Sequence, residues 1–293
     1  MLPSQTQRVL MLLAVISGTI AWWWLCAYLS PEDGLSGWSL SDAKSGLGLA
    51  SGLLLFTALP VLVAAGFVAA SGNPISGVFC LALAGVIAYH GNGLDAVARR
   101  AADAGNTMSL YPQLVIELGI AALIGTLILV GLQATRKFWR PHIPHRLRSR
   151  HLGEPLSLLK LDSKSITAGL ITAAIGAVLT AGLVRSDNPQ QVAGGLVLAF
   201  SLAALIGHGV APNHRPWASL IAPAVVGVVG YAWAWLRMQN SGETDALLGA
   251  LYRNELPGLA LGLPLHYLTA GVLGCTIGIG IGQVIEKAKL AEH

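Results

Sequence analysis

One carboxylate interrupts an otherwise uncharged apolar stretch: Glu117, in the run Leu114-Val115-Ile116-Glu117-Leu118-Gly119-Ile120. At the centre of a membrane helix such a group costs about 2.5–3.5 kcal/mol or more, so it normally faces a cavity or a partner. Its chemistry there would be proton relay or cation binding. The plainer alternative is a carboxylate near the interface, bonded to Ser, Thr or backbone groups of a neighbouring helix. His266 is the candidate partner. If Gln133 and Gln283 are equivalent positions in two copies of one unit, Glu117 falls beside His266 and Tyr267. The two side chains would then lie at similar depth, and histidine titrates in the range a proton relay needs. His90, at the end of another apolar run, could join them.

Other chemistries are poorly served. Haem b is the alternative that His90 and His266 leave open, but no two histidines share a helix at haem-binding spacing and no C-x-x-C-H occurs, so no cofactor is expected. His142, His145, His151 and His214 lie among arginines, where interfacial anchoring accounts for them, and no metal is expected. H-E-x-x-H, G-x-S-x-G, a P-loop and paired intramembrane aspartates are all absent, which leaves no named enzyme class. Cys26, Cys80 and Cys275 sit in apolar runs and read as small packing residues.

The elements that position these groups follow from composition. Of 293 residues 54% are hydrophobic and 11% charged, against about 25% charged for soluble domains. Too few charged residues are present to coat a soluble protein of this size, so lipid must cover much of its surface. Eight apolar runs are long enough to cross about 30 Å of hydrocarbon. They cover residues 9–29, 47–70, 74–91, 112–134, 166–184, 191–211, 216–237 and 257–284. The last contains Pro257 and Pro264 and is long, so a kink or a broken segment is expected there.

Orientation follows from Lys and Arg. With eight spans, both termini share a side with Arg8, Arg215, Lys287, Lys289 and eight basic residues of the central segment, leaving six basic residues on the other. The positive-inside rule puts both termini in the cytoplasm of a multi-pass cell-membrane protein. Trp22 to Trp24, Tyr231, Trp233 and Trp235 fall at outer helix ends, and Trp139 and Trp217 at inner ones, as interfacial aromatics do.

The halves read as copies of a four-helix unit. Pro74, Gly85, Val86 and Tyr89 recur at the same spacing as Pro216, Gly227, Val228 and Tyr231. Each Tyr is followed by a long polar loop ending in Leu-Tyr, at Leu110-Tyr111 and Leu251-Tyr252. The expected fold is all-α, eight transmembrane helices in a 4+4 parallel pseudo-repeat. Residues 1–134 form the first half and 166–293 the second, joined by a basic cytoplasmic linker over 135–165 that lies on anionic inner-leaflet lipid. That linker lacks interleaved aromatics and a folded module, so nucleic acid is not an expected partner.

Gly274, Gly278 and Gly282 make a flat groove for close helix packing, within the bundle or in a homodimer. The leading functional expectation is a small-solute or ion carrier, or a channel-like protein, with its site between the halves. The alternative is a non-catalytic subunit of a larger membrane complex.

Overall fold

The computed structural model describes residues 5–29, 61–70, 74–89, 93–105, 107–142, 162–212, 216–239 and 246–291. Among them the regular structure is entirely helical. The helices are α1 (Gln5–Leu29), α2 (Val61–Ala70), α3 (Pro74–Ala88), α4 (Leu94–Asp103), α5 (Leu110–Trp139) and α6 (Ser163–Leu183). They continue with α7 (Pro189–Val210), α8 (Trp217–Gln239), α9 (Ala246–Tyr252), α10 (Pro264–His266) and α11 (Val272–Ala291). Local chemistry sets several starts. Asp162 accepts the Ser165 N–H at 2.8 Å, and Asn188 accepts that of Gln190 at 3.0 Å just ahead of Pro189.

Six helices are long and apolar enough to cross a membrane, as expected of a multi-pass membrane protein. Their outward faces carry Leu12, Trp23, Leu123, Leu170, Val178 and Trp233, each more than half exposed. Lipid suits such a surface; water does not. The second and third sequence spans are less complete. Residues 47–60 lie outside the described residues, and α3 has 15 residues, about 22 Å at 1.5 Å per residue.

The eighth apolar run is broken. A 3-10 turn at Gly258–Ala260 leads to α10, then to a π-helical turn at Tyr267–Gly271 and on into α11. Pro264 has no N–H to continue a helix backwards and sits in the first turn of α10. Glycines let the irregular stretch wedge into the bundle. A Cβ on Gly258 would strike the carbonyls of Val184 and Thr180, and one on Gly230 the carbonyl of Leu259.

Bare backbone also sets the helix contacts. Gly274 faces the Val197 carbonyl, Gly278 the Ser201 carbonyl and Gly282 the His208 ring, so the four-apart stripe of α11 packs against α7 of the same chain. Gly169 meets Ala218 between α6 and α8, and Gly18 meets Ala84 between α1 and α3. Gly85 of α3 meets Thr269 in the π-turn, while Gly227 of α8 meets Leu118 of α5.

Two stretches differ from the sequence reading. The polar loop after Tyr89 contains α4, which buries Leu94, Ala96, Val97 and Ala98 and pairs Asp95 with Arg99 at 3.8 Å on its outward side. It packs near α9, where the Arg99 guanidinium lies 5.9 Å from the Tyr252 ring. The linker also starts as helix: α5 carries Arg136 and Lys137 through Trp139 before a turn at Arg140–His142. Residues 143–161 of the linker lie outside the described residues.

Candidate functional site: a carboxylate among tyrosines

Along α5 the buried positions include Leu110, Leu114, Glu117, Ala121 and Ile124, a helical three-four spacing that turns Glu117 into the bundle. Its side chain belongs to a residue only 2% exposed. Tyr231, on α8, is fully buried and lies within electrostatic reach of Glu117, Tyr111, Tyr89 and Tyr267. One turn before it, Gly227 has no side chain, and Leu118 and the Tyr267 ring close over that gap. The Tyr111 and Tyr231 rings are 6.0 Å apart, and Tyr231 and Tyr267 are 6.1 Å apart and nearly perpendicular. Four of the chain's six tyrosines thus share one cluster with Glu117, centred on Tyr231.

Their hydroxyls have defined tasks. Tyr231 donates to the Gly262 carbonyl and Tyr267 to the Leu259 carbonyl, both in the irregular stretch before α10. Non-helical backbone at membrane depth persists only where protein satisfies its polar groups, and these two phenols do so. The Tyr111 hydroxyl has no hydrogen-bond partner among the described residues.

His266 is 2% exposed, and its Nδ1 accepts the Leu263 N–H at 3.0 Å. In the neutral ring that bond assigns the proton to Nε2. Among the described residues Nε2 makes no hydrogen bond, so this nitrogen does not bridge directly to Glu117. The ring stands edge-on to Tyr89, 4.6 Å between centroids. Glu117 and His266 therefore belong to one buried cluster, linked through Tyr231 and Tyr89 rather than by a direct bond through Nε2. His90 lies outside the described residues.

Comparison with known proteins found no matching family model, curated protein or solved structure. What the cluster can do follows from its own chemistry. Among the described residues no three His, Cys, Asp or Glu side chains come together. A single carboxylate with phenols close by suits a proton or a monovalent cation.

At the far end of α7, His208 Nε2 lies 3.3 Å from Glu286 Oε2 on α11, a pairing the sequence reading did not contain. Tyr267 entered that reading only as the neighbour of His266. Tyr89, Tyr111 and Tyr231 did stand out in sequence, as repeat markers with no chemistry attached to them.

Proposed function

We propose that this protein is a carrier, or channel-like protein, for a small ion, and that Glu117 is the group that binds it. The observation that carries this reading is the burial of Glu117 inside the bundle, beside Tyr231. A buried carboxylate that served packing alone would cost free energy that an apolar residue would not. The broken segment at Pro257–Leu263 adds support, because discontinuous helices line the ion and substrate sites of many carriers.

The reading includes eight spans in two four-helix halves, with both termini on the cytoplasmic side of the cell membrane. Helix packing favours such a duplication. The third helix of each half meets the fourth of the other, Gly85 against Thr269 and Gly227 against Leu118. The first and third helices of each half also meet, at Gly18–Ala84 and Gly169–Ala218.

Purified protein reconstituted into vesicles tests the proposal, with an internal pH dye and imposed proton, sodium and potassium gradients. Wild type should move at least one of these ions, and Glu117→Gln, which keeps the shape without the charge, should abolish the flux. Undiminished flux in Glu117→Gln overturns the assignment. Absence of wild-type flux together with a bound partner chain in native mass spectrometry would favour a subunit of a larger complex.

A further inference from the structure

A separate feature lies between the halves, lined by no tyrosine. A cavity of about 110 Å³ is walled by α1, α3, α5, α8 and the π-turn, with Trp22, Leu81, Ala122, Gly125, Leu220 and Leu268 among its lining. The walls are almost wholly apolar. Two hydroxyls reach them, and both are engaged: Thr126 Oγ1 donates to the Ala122 carbonyl at 2.9 Å and Thr269 Oγ1 to the Leu265 carbonyl at 2.7 Å.

Water is a poor occupant, because an ordered water needs two to four polar partners. A void forfeits dispersion contacts on every wall. An apolar cavity of about 150 Å³ binds benzene or xenon in a soluble protein, so a space of this size takes a short run of hydrocarbon. In a bilayer the surrounding solvent is hydrocarbon chain. One further atom narrows the ligand: the buried indole N–H of Trp22, a wall residue, has no acceptor among the described residues. A buried donor without an acceptor keeps its full desolvation cost, so a ligand that supplies an oxygen there is favoured.

We propose that this cavity is a lipid site, holding one hydrocarbon chain of a membrane lipid whose ester or carboxyl oxygen accepts the Trp22 indole N–H. The ligand class is an acyl chain with an oxygen at its head, from either a phospholipid or a free fatty acid. The site is independent of Glu117.

The test is native mass spectrometry of the full chain from mild detergent, with the released lipid identified by its mass. Wild type should retain one lipid per chain, and the mass separates phospholipid from fatty acid. Gly125→Leu should fill the space, since a Cβ there meets only Leu268 Cδ2, at 3.9 Å. That variant should lose the adduct while keeping its helical circular dichroism. Trp22→Phe keeps most of the ring and removes the N–H; it should lose lipid about three- to tenfold more readily on detergent washing, a hydrogen bond of about 1 kcal/mol. A lipid-free wild type overturns the proposal, as does equal retention in Trp22→Phe or in a folded Gly125→Leu. If Gly125→Leu does not fold, Trp22→Phe decides. Ion flux lost in Glu117→Gln but kept in Trp22→Phe separates this site from the ion site.

Discussion

The Tyr231 phenol, on α8, donates its hydrogen to the carbonyl of Gly262, 31 residues further along the chain. With Tyr267 on Leu259 it holds open a stretch of backbone that would otherwise need water or a helix. The same phenol lies within electrostatic reach of Glu117, so the support of the broken segment and the environment of the carboxylate share a side chain.

Tyr231→Phe should therefore weaken the break without removing the ring. The expected loss is about 0.6 kcal/mol, the average for interhelical hydrogen bonds in a membrane protein, and at most about 1.7. Hydrogen exchange should rise locally over residues 257–263. Protection in that stretch equal to wild type would contradict the role given to this phenol.

Two glycines on α11 should behave oppositely. Gly278→Leu drives a side chain into the Ser201 carbonyl and, at 2.9 Å, the Leu205 amide nitrogen, and should cost about 3 kcal/mol, the upper end for overpacked cores. A Cβ on Gly280 would meet nothing within 4 Å, so Gly280→Ala should be neutral or stabilise by up to about 1 kcal/mol. Thermal unfolding in detergent distinguishes the pair.

His266 should prove to have a structural duty whether or not it also serves ion binding. His266→Phe strands the Leu263 N–H and should cost about 1–3 kcal/mol. His266→Asn retains an acceptor that reaches back over the same turn and should recover part of that loss in the same melting assay.

Asp187, in the α6–α7 loop, supplies the pH dependence. Partial burial holds its carboxyl above the ordinary range, and the Asp95 carboxylate beside it adds to the effect. Hydrogen bonds to backbone oppose it, and Arg99 pairs with Asp95 from the outward face of α4. Because the folded state binds this proton more tightly, the stabilisation is full below the unfolded value of about 3.9 and is lost as pH rises through the higher folded value. Asp187→Asn should unfold at a higher temperature than wild type at pH 7 and match it near pH 4. Equal melting at both values would show that the carboxyl pair does not govern this loop.

Much of this was legible in the sequence. Hydropathy marked the apolar runs, Pro257 and Pro264 announced the break, and Glu117 stood out because a carboxylate in such a run is rare. The glycine stripe was equally plain, but not what it faced. The α4 helix was hidden, because its short amphipathic pattern lies in a stretch that reads as a polar loop.

Those legible features share one physical origin: each depends on a residue and its near neighbours, through length, transfer free energy or the covalent ring of proline. The remainder depends on how each helix is rotated and set against helices distant in the chain. That rotation aims Gly274, Gly278 and Gly282 at α7, and it brings Glu117 of α5 within reach of Tyr231 of α8, with Tyr89, Tyr111 and Tyr267 about the same phenol. A single-helix pattern contains no term for such contacts, so only the tertiary structure decided which polar side chains keep company with the one carboxylate that the sequence had already made conspicuous.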